Sequence, residues 1–363
     1  MLRGVYQSYG TEIGGNDMKQ DHIFHYDQAF DLEAGGKLPG LQLKYTTLGQ
    51  LNKDRSNVVW VIHALTGNSD VTSWWPGLFE SGGPYDPKEN FVICANTLGG
   101  CYGSTGPLSI NPTTGKPFFH DFPLLTNRDI VRAFDLLRTE LGLDKIQTVI
   151  GSSLGGQQAL EWSIQRPTVF DHLVLIACNA SHSPWGIAFN EAQRLAIEAD
   201  SSWKENDERA GSAGIKAARA IAMLSYRSFD GFAERQQEKS NENLDHFRAS
   251  SYQQYQGQKL VGRFNAFTYW ALSKAMDNHN VGRDRESREK ALQHVKSKTL
   301  VIGIESDLLF PVSEQKFLAS AIPSAKLEII HSLYGHDGFL VEFEQLRTFL
   351  TEFYQHKKST ILL

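Results

Sequence analysis

The chain has 363 residues, of which 41% are hydrophobic and 21% charged, with a net charge of -5. That length sets an expectation of one large domain or two ordinary ones, and the composition excludes a disordered chain. The mild acidity argues against a general affinity for nucleic acid or anionic membrane, so neither is expected as a partner.

Three cysteines, Cys94, Cys101 and Cys178, are too few for a secreted disulfide framework. No Cys-x-x-Cys pair is present, and no metal site is expected. The apolar runs are far shorter than a membrane span. The first residues lack an apolar signal-peptide core, and a second methionine, Met18, points to a ragged start. Residues 1–21 are expected to form a flexible leader, and the compartment expected is the cytoplasm.

The elements begin with an alternating strand over residues 41–47 and a continuous apolar run at 58–62 (VVWVI), as expected of a strand covered on both faces. Residues 91–95 (FVICA) form another such run. Ile130, Ala133, Phe134, Leu137 and Leu141 recur at helical spacing, so residues 129–141 are predicted helical. A short strand at 148–150, a helix at 157–164 and a strand at 172–177 follow. Residues 181–289 carry no strand-like run; helices are predicted at 215–224 and 266–276. Strand signal returns at 299–304 and 325–330, with helices at 313–321 and 339–354. Alternating strands and helices imply a mainly parallel sheet covered on both faces. The expectation is one discontinuous core, residues 22–180 and 290–357, with residues 181–289 inserted as a helical lid.

Gly151-Ser152-Ser153-Leu154-Gly155 matches G-x-S-x-G, which places a nucleophilic serine on a tight strand-to-helix turn. The pattern alone is weak, and a glycine-rich turn with a solvated serine is the plain alternative. The predicted strand before it and helix after it supply the context the motif needs. Such a nucleophile needs a base and an acid to orient the base, in the chain order Ser, Asp, His. Asp307 follows the strand at 299–304, and His336 follows the strand at 325–330. Each alone reads as a turn residue. Together, in order and each after a strand, Ser153, Asp307 and His336 read as a triad. Oxyanion donors are expected from the backbone of Leu154, after the nucleophile, and of Leu65, in His63-Ala64-Leu65-Thr66-Gly67 after an earlier strand.

Further segments carry a family resemblance. They are the His63–Gly67 loop, Asn96-Thr97-Leu98-Gly99-Gly100-Cys101-Tyr102-Gly103-Ser104-Thr105-Gly106-Pro107 with its continuation to Pro117, Ser306-Asp307-Leu308-Leu309-Phe310-Pro311, and Gly335-His336-Asp337-Gly338-Phe339-Leu340. From about residue 32 to 353 the chain resembles the homoserine O-acetyltransferase family of the α/β-hydrolase superfamily. Two features depart from its pattern: Leu154 stands where Met is usual, and Phe118-Phe119-His120 follows Lys116-Pro117 where Tyr-Gly is frequent. The resemblance implies an α/β-hydrolase fold with a mainly parallel central sheet and an inserted helical lid. It also implies acetyl transfer from acetyl-CoA to L-homoserine through an acyl-serine, in methionine biosynthesis, with acetyl-CoA as co-substrate and no tightly bound cofactor.

Arg219 and Tyr226 lie two helical turns apart and share a face. Spacing alone leaves Arg219 open as a solvated helix arginine. The resemblance implies that Arg219 holds the substrate carboxylate with Tyr226 beside it, that Asp337 holds the amine, and that a homodimer forms through the lid helices. Succinyl transfer to homoserine, acetyl transfer to serine and simple ester hydrolysis share the same triad chemistry. The loop Asn68-Ser69-Asp70 carries no cation for a succinyl carboxylate, which favours acetyl. Cys101 reads as a packing residue rather than a nucleophile, and Trp74-Trp75 either line a channel or fill core.

Overall fold

The computed structural model describes residues 18–355. Eight strands make one sheet: β1 Lys19–Tyr26, β2 Leu41–Leu48, β3 Val58–Ile62, β4 Phe91–Ala95, β5 Ile146–Ser152, β6 Phe170–Ile176, β7 Lys298–Ile304 and β8 Lys326–Ile330. Their spatial order is β1-β2-β4-β3-β5-β6-β7-β8. The β1–β2 and β2–β4 pairs are antiparallel and the rest parallel, so the C-terminal ends of β3, β5, β6, β7 and β8 share one edge. Ligands of open parallel sheets gather at such an edge.

Strand alternation divides the core in two. Val58, Trp60 and Ile62 pack on one face of the sheet, Val59 and Val61 on the other. The first face is covered by α1, Asn127–Glu140, and α2, Leu154–Gln165; Trp162 of α2 meets Trp60 edge-on with ring centres 5.0 Å apart. A capping box between Thr126 and Asp129 starts α1. The second face is covered by the C-terminal helix, whose Leu346, Leu350 and Phe353 are buried. Burying each such apolar side chain contributes about 1.5–3 kcal/mol.

Between β6 and β7 the chain leaves the sheet. Ser181 bridges Asn280, and the His182 and Val281 N–H groups donate to the His279 and Ala180 carbonyls, closing a stem. Inside that stem run α3 Pro184–Glu198, α4 Ser212–Tyr226, α5 Phe229–Gln236, α6 Arg248–Val261 and α7 Ala266–Asp277. The apolar faces of α3, α4, α6 and α7 form a third core with Leu65, Leu154, Leu309 and Phe310, directly above the ligand-gathering edge. The stem closes near residue 281, and the chain rejoins the sheet at Lys298. After α8, Val312–Ala321, the chain ends in α9, Phe343–Gln355.

Two expectations are corrected. A strand begins at Lys19, inside the segment expected to be a flexible leader; residues 1–17 of that segment lie outside the described residues. The last helix starts at Phe343 rather than 339, because Gly335–Leu340 is a 3-10 turn. The Phe339 carbonyl accepts from the Trp75 indole at 2.7 Å, which anchors that turn to the core.

Candidate active site

Ser153 sits on the turn from β5 into α2 with φ 55° and ψ -124°, a strained conformation for a residue with a side chain. Two glycines make the turn possible. A Cβ on Gly151 would lie 2.2 Å from the Gly155 carbonyl oxygen, and one on Gly155 would lie 2.2 Å from that of Ile62. Strain at this position aims the Ser153 hydroxyl out of the sheet edge.

His336, on its 3-10 turn after β8, places Nε2 2.9 Å from Ser153 Oγ. Its Nδ1 lies 2.6 Å from Asp307 Oδ2. The other Asp307 oxygen accepts the Leu309 and Phe310 N–H groups at 2.8 and 2.9 Å. Those bonds fix the carboxylate, which keeps the His336 proton on Nδ1 and leaves Nε2 to accept from Ser153. Phe310 stacks on the imidazole and Phe339 meets it edge-on. Burial pulls the His336 pKa down, but the Asp307 carboxylate outweighs it by charge and hydrogen bond, helped by Asp337, and the net shift is upward.

Leu154 is the first residue of α2, where N–H groups have no intrahelical acceptor, and Leu65 lies in the turn after β3. His63 locks that turn. Its Nε2 accepts the Thr97 N–H at 3.1 Å, so Nδ1 carries the proton and donates to the Ala64 carbonyl at 2.8 Å. Burial drives its pKa down to about 4, so the ring is neutral in ordinary buffers. The glycine-rich segment, which carries Thr97, ties down the same loop a second time. Asn96 accepts the Ser69 N–H at 2.8 Å and donates to the Tyr102 carbonyl at 2.9 Å. The sequence singles out both segments and leaves their mutual contact unread.

A cavity of about 440 Å³ opens above Ser153 and His336, lined among others by Leu65, Arg219, Tyr226 and Asp337. Four segments far apart in sequence therefore meet at one cavity. The Arg219 guanidinium lies 5.2 Å from the centre of the Tyr226 ring, a cation–π contact, and that ring is 5.7 Å from the His336 ring. Asp337 is not a free carboxylate: Arg227, the residue after α4, donates to it and also to the Tyr252 hydroxyl. Sequence reading missed Arg227, although its position next to Tyr226 was a usable signal. Lys259 and Arg263 also line the cavity and were missed.

The tryptophan pair splits. Trp74 lines the cavity and donates to the Asn68 carbonyl, while Trp75 is fully buried. Burial pushes the Cys101 thiol up to about 11, which fits a packing residue and not a nucleophile. Among the described residues no group of three or more His, Cys, Asp or Glu side chains is placed to hold a metal ion, and no helix is long and apolar enough to cross a membrane.

The strand order and the serine–histidine–aspartate geometry define an α/β-hydrolase-fold protein, and the profile of the alpha/beta hydrolase fold family matches residues 57–212. A homoserine O-acetyltransferase of Cyclobacterium marinum is 49% identical over 338 residues, covering 93% of this chain and 96% of that protein. The chain belongs to the homoserine O-acetyltransferase family. Solved structures place the fold in wider company. A homoserine O-acetyltransferase from Bacillus anthracis superposes with a TM-score of 0.87 at 23% identity, covering 93% of this chain and 97% of the other. An acetylester hydrolase from Corynebacterium glutamicum superposes with a TM-score of 0.81 at 24% identity, covering 92% and 96%. The shared fold therefore does not separate acyl transfer to an alcohol from transfer to water.

Proposed function

We infer that this protein is a homoserine O-acetyltransferase, moving an acetyl group from acetyl-CoA to the hydroxyl of L-homoserine through an acyl-serine. The observation that carries the reading is the charge pattern of the cavity wall. Arg219 and Asp337 line the cavity that holds Ser153 and His336, one of each charge, as an α-amino acid with its carboxylate and ammonium requires. A planar guanidinium suits the carboxylate, and Asp337 suits the ammonium.

The geometry supports this sequence of steps. His336 Nε2 takes the Ser153 proton as Oγ attacks the thioester carbonyl. The Leu65 and Leu154 N–H groups receive the developing oxyanion, each worth about 3–4 kcal/mol in sites of this kind. The tetrahedral species expels CoA, and the proton on His336 goes to the departing sulfur. Homoserine then binds, His336 takes its hydroxyl proton, and the oxygen attacks the acyl carbon. Ser153 leaves with that proton. The five helices between β6 and β7 act as a lid that limits water, the competing acceptor.

The product suits methionine biosynthesis, and the acetyl-CoA donor suits a cytoplasmic enzyme without a tightly bound cofactor. Leu224, Phe229 and Tyr255 on the helices of the lid and Phe247 at the start of α6 are exposed, which supports a homodimer through those helices. The experiment crosses acetyl-CoA or succinyl-CoA with homoserine, serine or water and identifies the product. O-acetylhomoserine formed well above the rate of free acetate is the expected result. Free acid alone, whatever the acceptor, overturns the reading in favour of an ester hydrolase.

A further inference from the structure

The cavity carries more positive charge than an amino-acid substrate can use. Arg219, Lys259 and Arg263 line it against one carboxylate, Asp337, which is already paired with Arg227. A zwitterionic acceptor brings one carboxylate and one ammonium. Arg219 and Asp337 satisfy both, so Lys259 and Arg263 are left over.

Those two cations occupy a different level of the cavity. Ser153 and His336 at its floor are 5% and 3% exposed, whereas Lys259 and Arg263 are open to solvent and mark its mouth. Lys259 stands in the last turn of α6, and Arg263 follows that helix. The Arg263 guanidinium is pre-positioned: Nη1 donates to the Thr66 carbonyl at 2.6 Å and to the Tyr102 hydroxyl at 2.8 Å. It thereby bridges the lid, the turn carrying Leu65 and the glycine-rich segment while keeping donors free toward solvent. Neither residue forms an ion pair with an acidic side chain among the described residues. Their other role, complementing the C-terminal dipole of α6, needs neither a place on the cavity nor the reach of Arg263 across to Thr66.

We propose that Lys259 and Arg263 form the phosphate-binding site for the acyl donor, gripping phosphate oxygens of coenzyme A at the cavity mouth while the pantetheine arm reaches down to Ser153. This rests on the acyl-CoA reading given above. It assigns donor and acceptor to two levels of one cavity: phosphates at the rim on Lys259 and Arg263, amino acid at the wall on Arg219 and Asp337. Two substrates that take turns at one serine then need no shared recognition groups. Exposed phosphate contacts of this kind are screened by salt.

The test compares acetyl-CoA with S-acetyl-N-acetylcysteamine, a thioester that keeps the end of the arm and lacks every phosphate. Lys259→Gln is the main variant, because among the described residues no hydrogen bond ties Lys259 to the turn carrying Leu65, whereas Arg263 donates to Thr66. Arg263→Gln and the double variant follow. The expected result is a rise of about fivefold in the KM for acetyl-CoA per cation removed, with kcat held in Lys259→Gln. The wild-type KM for acetyl-CoA should climb with added potassium chloride, and the KM for the truncated donor should respond to neither change. Equal losses on both donors, or no loss on either, overturn the phosphate site. A wild-type protein that acetylates homoserine equally well from both donors overturns it too, and leaves the transferase reading standing. Free acetate as the sole product from either donor overturns the transferase reading first, and the phosphate site with it.

Discussion

Ser153, Asp307 and His336 stand on turns that leave strands β5, β7 and β8, whereas Arg219, Tyr226 and Arg227 stand on or just beyond α4, outside the sheet. The first group is dry: the Asp307 and His336 side chains are 0% and 3% exposed, and every oxygen of Asp307 has a donor. The second group is wetter, with the Arg227 side chain 25% exposed. A nucleophile and its base need fixed geometry, which a close-packed strand edge supplies. Groups that bind a small polar substrate need access, which helices outside the sheet supply. On the reading proposed above, the same division lets one fold host transfer to an amino acid or to water, with the floor setting the chemistry and the wall the acceptor.

Breaking the floor should cost most. Ser153→Ala should lower acetyl transfer by about 10⁶-fold and abolish the acetylated protein visible by mass spectrometry after mixing with acetyl-CoA. A variant that still acylates elsewhere sinks the nucleophile assignment. Asp307→Asn should lower kcat by about 10⁴-fold, because an amide at that position favours the wrong imidazole tautomer. It should also move the acid limb of the rate profile. His336 acts as a base only when neutral, and its raised pKa makes activity fall as pH drops through that value. Without the Asp307 charge the limb should shift to lower pH.

Breaking the wall should spare the first half-reaction. Arg219→Ala should lower kcat/KM for homoserine by about 30- to 100-fold through loss of a charge-assisted contact. The rate of acyl-enzyme formation from acetyl-CoA should change less than about threefold, with a larger share of the acyl group lost to water. An equal loss in both half-reactions would place Arg219 in the floor and remove the distinction.

The floor was also the part that sequence made legible. The order Ser153, Asp307, His336 and the glycines around Ser153 are local patterns, and each follows an apolar or alternating segment that declares its strand. β1 was hidden because it is an edge strand, with Lys19, Gln20 and Asp21 all exposed and only Phe24 buried, so no alternation betrays it. The start of α9 was misplaced because Phe339 keeps helical spacing while its carbonyl serves Trp75, a partner 264 residues away. The same distance problem hid Arg227, Lys259 and Arg263. An arginine on a helix looks solvated until the fold brings a carboxylate or a loop carbonyl to it. Arg219 and Asp337 were reached through family resemblance, not through periodicity.

The smallest effect is expected at Arg227, where floor and wall touch. Asp337 follows His336 directly and raises its pKa, while Arg227 faces Asp337 and offsets its charge. Asp307 and Asp337 push the imidazole up, and burial opposes them. Arg227→Gln leaves the Asp337 charge uncompensated, so His336 should hold its proton more tightly. The acid limb of kcat/KM should move to higher pH by on the order of half a unit, a shift opposite in sign to that of Asp307→Asn. Arg227→Lys keeps the charge and should return the limb to its wild-type position. A limb that moves down, or that moves equally in the Lys and Gln variants, would show that Arg227 only braces the end of α4. Opposite shifts from the two substitutions would locate the boundary between the chemical floor and the binding wall at the bond between His336 and Asp337.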